Sequence, residues 1–324
     1  MNKRNASPPP EAIANRPSGD LHVKKVSHCV VTHSSLAISL RGVDPACLFD
    51  FVTGRSRLEM NLMAVGSLLM HPLSLAPRSD RYVHVFNLWG TGYHHWLAEV
   101  ALKMFLFEDQ CRKSKIILPE KCPSFVNEFL ELFGFNNTFQ LSGGTYFKEL
   151  DIISNPYSGH FNEAQINLFR QRLLDRVVPD SSRSGRTRKI YISRRGARAR
   201  KVVNEDEVIS FLSESGFDCL ELDNMSFVEQ VRIFSECSTL VSLHGAGLTN
   251  MLFMPRGSHV IEIYPGDFDA RDYFNACYRR LADVLGISHT YLFADREFPE
   301  NAFTLDTDNV RVNIEEFEQW IADA

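Results

Sequence analysis

The chain has 324 residues, 44% of them hydrophobic and 23% charged, a composition and length that suit two folded domains of ordinary size. No apolar window reaches the roughly 18 residues that a bilayer span needs. The longest candidate, residues 96–107, is interrupted by Glu99 and Lys103, which argues against an integral membrane protein. The net charge of −5, and a basic cluster without interleaved aromatics beyond Tyr191, argue against a nucleic-acid partner.

Residues 1–20 carry Pro8-Pro9-Pro10, Pro17, Ser18 and Gly19 but no apolar core of a signal peptide, and they read as a disordered tail. Residues 21–60 mix short apolar runs with polar turns. A strand over 82–88 then leads through Trp89-Gly90-Thr91-Gly92 into a helix over about 94–111. A strand at 116–118, a helix over 124–133, a strand over 146–153 and a helix over 162–177 complete an N-terminal α/β domain, residues 21–178. Residues 179–188, rich in Ser, Arg and Gly, read as the interdomain linker.

From residue 189 to 324 the pattern becomes regular. Strands over 189–193, 218–222, 239–243, 259–264 and 289–293 alternate with helices that start at Asn204, at Ser226 and at Arg271. Asn204 with Glu207, and Ser226 with Glu229, have the spacing of capping boxes. Near-continuous apolar strands separated by amphipathic helices predict a parallel sheet covered on both faces, a Rossmann-like domain. A last helix over 314–322 is free, on sequence alone, to fold back on the N-terminal domain. The seven cysteines are widely spaced and form no Cys-x-x-Cys pair, so neither a disulfide framework nor a zinc site is expected, and a reducing cytoplasm fits.

Ligands of open parallel sheets bind beyond the carboxyl ends of the strands. Three polar sets fall there: Arg194 and Arg195 after the first strand of this half, His244-Gly245-Ala246-Gly247 after the third, and Glu262 near the end of the fourth. Gly245 and Gly247 lack the side chains that would keep a bulky anion from the amides of the turn. Together these groups suit a nucleoside diphosphate: amides and His244 on the phosphates, an arginine on the leaving group, Glu262 on ribose hydroxyls. Arg200 and Asn250 are second choices. A tight turn around a core histidine is the plainer reading. Nine basic residues between Arg183 and Lys201, with no acidic one, favour a local anion.

In the N-terminal domain His95 and Glu99 are four residues apart on one helix, so the carboxylate can orient the imidazole and the pair can deprotonate a hydroxyl. The same spacing serves ordinary ion pairs on a helix face. Asp267-Phe268-Asp269 has the form of a metal-holding triplet, but it follows Pro265-Gly266 and reads as a surface turn, so no metal is expected.

Tyr-His-His-Trp-Leu-Ala-Glu at 93–99, Tyr-Ile-Ser-Arg at 191–194 followed by Ala197, Arg200 and Asn204-Glu205, Ser226-Phe227 with Glu229-Gln230, His-Gly-Ala-Gly-Leu-Thr-Asn at 244–250 and Val-Ile-Glu-Ile at 260–263 resemble glycosyltransferase family 61 in order and spacing. The resemblance covers about residues 80–293. It implies a GT-B architecture, two Rossmann-like domains facing a cleft, and inverting transfer of a sugar from a nucleotide donor without an obligatory metal or a cofactor. The donor is a substrate, a UDP-sugar by this likeness. The acceptor is a hydroxyl of a glycan or a lipid-linked saccharide, in surface polysaccharide or glycan assembly, with peripheral contact at the inner membrane face; no amphipathic membrane helix is evident in the sequence. Where the family continues with Leu-Pro-Arg-Leu, this chain has Ala101-Leu102-Lys103-Met104, and Lys103 lacks the planar fork of arginine. The joint reading assigns the base to Glu99 or His95. A nucleotide-sugar epimerase and a noncatalytic nucleotide-sugar binding protein would use the same diphosphate site.

Overall fold

The computed structural model describes residues 21–49, 52–77, 79–179, 187–266, 275–297 and 309–322. The expected N-terminal tail, most of the expected linker, Asp267-Phe268-Asp269 and the first residues of the helix expected at 271–285 lie outside the described residues. The chain is mixed α/β with two sheets, and it divides into two compact units after Gln165, inside the helix Glu163–Val177.

The first unit is built on eight strands: β1 (Val23–Val31), β2 (Ala37–Ser39), β3 (Gly42–Val43), β4 (Leu73–Leu75), β5 (Tyr82–His84), β6 (Lys115–Leu118), β7 (Thr138–Gln140) and β8 (Gly144–Ile153). Their order is β3-β2-β1-β8-β5-β6-β7, with β4 also paired to β8. The β1, β2 and β3 pairings are antiparallel, whereas β4 and β5 run parallel to β8, and β5, β6 and β7 run parallel to one another. Val31, Tyr82, Ile117, Phe147 and Ile152 form its core.

The helix Gly54–Met70 was not legible in the sequence. Ala64, with Met60 and Leu68 beside it, packs against Leu36, Ile38, Val43 and Leu48. On its other side Leu58, Leu62, Val65 and Leu69 are exposed. With apolar residues all round there is no 3.6-residue period to read. The helix expected over 94–111 is also subdivided. It runs through Tyr93–His95, a π-helical turn Trp96–Ala101 and Leu102–Leu106, breaks at Phe107, and resumes over Glu108–Lys113. All six residues of the π turn are buried, so tertiary packing sets the local winding there.

The second unit holds β9 (Arg188–Ile192), β10 (Phe217–Leu220), β11 (Cys237–Leu243), β12 (His259–Pro265), β13 (Ser288–Glu297) and β14 (Asn309–Arg311), in the order β10-β9-β11-β12-β13-β14. All pairings are parallel except that of β14 with β13. The strand order therefore reverses between β9 and β11, and the crevice beyond such a reversal is where doubly wound sheets bind ligands. Helices Glu205–Glu214, Phe227–Phe234 and Cys277–Leu285 connect the strands.

The two expected capping boxes behave differently. Ser226 and Glu229 form theirs, each side chain accepting the other's backbone N–H at 3.2 and 2.8 Å. Asn204 occupies the cap position, but its amide is taken by Val312: Oδ1 accepts the Val312 N–H and Nδ2 donates to its carbonyl. A tertiary bond to Val312, just beyond β14, has displaced the backbone cap, although Nδ2 still reaches Glu207 Oε2 at 3.2 Å. The last helix, Ile314–Ala322, seats Phe317 against Phe211 in the core of this same unit, so its described contact is not with the N-terminal half. The helix Glu163–Val177 is tied here too, through Asn167 Nδ2 to the Val284 carbonyl at 2.8 Å.

Candidate active site

At the β9 end, the peptide N–H of Arg194 and the hydroxyl of Tyr191 both donate to Glu205 Oε1, at 2.7 and 2.9 Å. That carboxylate fixes where the chain leaves the sheet. Arg194 then turns back on its own loop: Nε donates to the Arg200 carbonyl at 2.7 Å and Nη2 to the Ala199 carbonyl at 3.0 Å. Its third nitrogen lies against Gly245, where a Cβ would come within 2.9 Å of Nη1. Burial first, then the Arg200 charge, lowers the Arg194 pKa. Arg200 has φ +56°, in the left-handed region that a β-carbon disfavours by about 1–2 kcal/mol. Lys201, which follows it, is pinned to β14 by bonds to Asn309 and Val310. Arg200 Nη1 reaches the His244 carbonyl at 3.4 Å. The structure thus brings Arg194, Arg200 and the 244–247 turn together. Arg195 instead pairs with Asp206 on the surface, and Arg183 and Arg186 lie outside the described residues.

The turn after β11 opens a 3-10 helix, Ala246–Phe253. Its first internal bond runs from the Leu248 N–H to the Gly245 carbonyl, so the amides of Ala246 and Gly247 precede the ladder. The glycines have a different purpose from the one expected. The space beside Gly245 is filled by the Arg194 guanidinium, and a Cβ on Gly247 would meet Ile192 Cδ1 at 3.3 Å. Asn250 is also reassigned: it is fully buried and donates to Gln230 Oε1 and to the Gly247 carbonyl, both at 3.1 Å, so it braces the turn from within.

Glu262 requires the largest correction. It is fully buried on β12, and both its oxygens are occupied: Oε1 accepts from His244 Nδ1, and Oε2 from His289 Nε2 at 2.8 Å. With the side chain fully buried, neither oxygen is open to a ribose hydroxyl. Burial by itself would raise this carboxyl, but the two imidazoles, His244 foremost, outweigh it and hold the pKa below the usual range. Glu262 is a positioning carboxylate that fixes the His244 ring through Nδ1, and the rings of Tyr264 and Tyr278 flank that imidazole edge-on at 5.1 and 5.2 Å. The His244 side chain stays 14% accessible.

In the first unit His95 Nδ1 lies 3.1 Å from Glu99 Oε2, at ion-pair distance but off the line of a full hydrogen bond. Glu99 is buried and accepts from Asn87 Nδ2 at 2.7 Å and from Ser158 Oγ at 3.2 Å. Desolvation raises its pKa, yet His95 chiefly, with His94 and Asn87, brings it below the usual range. Of the two, His95 is the one that solvent reaches: its side chain is 24% accessible although Nδ1 is buried. Phe49 and Trp89 lie beside it, ring centroids 5.8 and 5.1 Å away. Lys103 is completely buried, donates to Asn155 Oδ1 at 2.6 Å, and is pulled down to about 8 by desolvation against the opposing pull of Glu99. It therefore makes one single-point contact where a planar arginine would make a forked one. Among the described residues there is no group of three or more metal-ligating side chains.

Sequence reasoning missed His289, which lies on β13 and meets β12 through the parallel register; no local signal marks it. It also missed the roles of Glu205 and Gln230, although both lie inside quoted motifs. Their signal was the motif itself, and only side-chain contacts reveal what they hold.

The 244–247 turn, backed by an imidazole–carboxylate pair, thus lies at the reversal of a parallel sheet. The chain matches the Glycosyltransferase 61 family over residues 93–261, more than half its length, and belongs to that family. It is similar to the EGF domain-specific O-linked N-acetylglucosamine transferase of Mus musculus, 31% identical over 152 residues, which are 44% of this chain and 28% of the mouse protein. It is also similar to the Protein O-linked-mannose beta-1,4-N-acetylglucosaminyltransferase 2 of Bos taurus and of Homo sapiens, 34% identical in each case over 109 residues, 32% of this chain and 18% of those proteins. The matched stretches thus span less than a third of these relatives. The family match contains His95, Glu99, Arg194, Arg200 and the 244–250 turn, and it ends one residue before Glu262.

Proposed function

We propose that this protein is an inverting glycosyltransferase that moves a sugar from a nucleoside-diphosphate donor, a UDP-sugar, to a hydroxyl acceptor. The observation that carries this reading is the convergence of Arg194, the Ala246 and Gly247 amides and a carboxylate-held His244 at the sheet reversal. The names of the relatives support N-acetylglucosamine as the first sugar to try. A GT-B arrangement, in which the two α/β units serve one reaction, is part of the proposal. Membership in the family and the separate sheet of each unit support it.

In this mechanism His95 takes the acceptor proton as the hydroxyl attacks the anomeric carbon, and Glu99 orients and stabilises the resulting imidazolium. The bond to the diphosphate breaks in the same displacement. Arg194, Arg200 and the turn amides stabilise the departing charge, while His244, set by Glu262, donates to it. Glu262 and Asn250 act through their neighbours. Independence from metal is proposed with this mechanism, supported by cationic groups already in place for the diphosphate.

Surface-glycan assembly in the cytoplasm, against the inner membrane face, is the setting we propose; the seven free thiols support a reducing compartment. The exposed Leu58, Leu62 and Leu69 on the helix Gly54–Met70 support the peripheral contact. No helix among the described residues is long and apolar enough to cross a membrane.

A thermal-shift panel of nucleotide sugars on the wild type and His244→Ala tests the donor assignment. A donor at about 100 times its Kd stabilises the native state by about 2.7 kcal/mol. At least one UDP-sugar should stabilise the wild type and fail on the variant; no stabilising donor in the panel overturns the reading. Release of free nucleotide only on addition of acceptor separates transfer from epimerisation.

A further inference from the structure

Within the first unit lies a cleft of about 310 Å³, lined in part by Asn87, the amide that donates to Glu99, and the mechanism above does not use it. The turn joining β1 to β2 lines it with His33, Ser34 and Ser35, and the end of the helix Gly54–Met70 contributes His71. The loops after the parallel strands β5 and β6 supply Asn87 and Lys121. The site therefore includes the carboxyl ends of two parallel strands, the ordinary place for a ligand on such a sheet.

Three observations define what would fit. The size lies at the lower end of small-molecule sites, enough for one or two small rings. The lining offers imidazole, hydroxyl and amide groups that both donate and accept, the requirement of a polyol. The His33 and His71 rings lie 4.0 Å apart, and His33 Nδ1 is held by Ser67 Oγ at 2.7 Å. Charge is balanced: Lys121 is accompanied by Glu120, and the lining contains no arginine. A nucleotide needs the cations of the second unit, whereas a neutral sugar does not.

The cleft also has a direct link to the candidate base. Asn87 lines it and donates to Glu99 Oε2 at 2.7 Å, and its Oδ1 accepts the Trp89 N–H at 3.1 Å. Trp89 is stacked on Phe49 at 4.5 Å, lies beside His95 and remains 42% exposed, and its chain neighbour Leu88 lines the cleft. We infer that the cleft lined by His33, His71, Asn87 and Lys121 binds a neutral sugar residue of the acceptor, with Asn87 coupling its occupancy to the His95–Glu99 pair. This inference rests on the glycosyl-transfer reading and names the acceptor class it left open.

Saturation-transfer NMR on the full chain, with the methyl glycosides of glucose, galactose, mannose, xylose and N-acetylglucosamine as probes, tests it. At least one probe should give a signal that survives saturating UDP, persists in His244→Ala and falls several-fold in His71→Gln and His33→Gln. Lys121→Ala, at an exposed position, carries the test if the histidine variants do not fold. No signal from any probe, a signal removed by UDP, or full signal in every folded variant overturns the assignment. Nucleotide-sugar stabilisation measured on the same sample separates the two readings. Stabilisation without a glycoside signal sinks the cleft alone; a UDP-resistant glycoside signal without stabilisation sinks the transfer reading and leaves the cleft a sugar site.

Discussion

His289 Nε2 and Glu262 Oε2 are 2.8 Å apart, and both side chains are fully buried. Glu262 spends its other oxygen on His244, so a residue on β13 fixes, through one carboxylate, the imidazole that the β11 turn presents. Replacing His289 by Phe leaves a buried carboxylate oxygen without its donor and should cost about 1–3 kcal/mol. Nucleotide-sugar affinity should fall with it as His244 loses its orientation. His289→Gln, which keeps an N–H donor, should recover most of both, as thermal melts and a nucleotide titration will read.

Acid should unfold this protein through its two buried carboxyls. The pKa values of Glu99 and Glu262 lie below the ordinary 4.5 in the fold, each because paired imidazoles outweigh the cost of burial. As pH falls below 4.5 the unfolded chain takes up protons first, so the stability these groups supply is present above that value and is lost toward the lower folded pKa. Melting temperatures followed between about pH 6 and pH 3 should drop steeply in the wild type and less in Glu99→Gln/Glu262→Gln. Parallel curves would contradict this.

Lys103 carries a dependence of the same sign at high pH. Its folded pKa, about 8 against an ordinary 10.5, reflects desolvation of the ammonium. Between these values the unfolded chain holds a proton that the fold has released, so stability rises with pH. Relative to Lys103→Met, the wild type should gain about 3 kcal/mol across that window. Chemical denaturation at both ends of the window measures the difference.

The two glycines of the turn should fail in different ways. Gly245→Ala places a methyl group 2.9 Å from Arg194 Nη1 and should displace the guanidinium, lowering nucleotide affinity about tenfold with little change in melting. Gly247→Ala presses on Ile192 Cδ1 at 3.3 Å and on Leu222, so it should cost about 1–3 kcal/mol of stability. Equal effects on binding and stability from both variants would contradict this division.

The base assignment predicts a ranking. His95→Ala should lower turnover by about 10²–10⁴-fold with donor binding intact, and Glu99→Gln by less, since the amide still contacts the ring. Initial-rate measurements at saturating donor provide the check. Near-normal turnover in both folded variants rules out the pair.

Much of this protein was determined by local sequence. Apolar runs and capping boxes marked the parallel strands of the second unit to within a few residues, and the helix Ser124–Phe133 agreed at both ends, because each signal lies within one element. The strand-end motifs pointed to Arg194 with Arg195 and to the 244–247 turn; the structure sets Arg194 against that turn together with Arg200, a second choice, and sends Arg195 to Asp206. Only tertiary structure decided the rest. The helix Gly54–Met70 has no readable period because both its sides are apolar. Asn204 exchanged its cap for Val312. Glu262 reads as a ribose ligand in the sequence, but His289, 27 residues away in the chain, donates to its second oxygen. A sequence shows which groups a strand end offers; which of them remain free for a ligand depends on partners that parallel pairing brings in from distant segments.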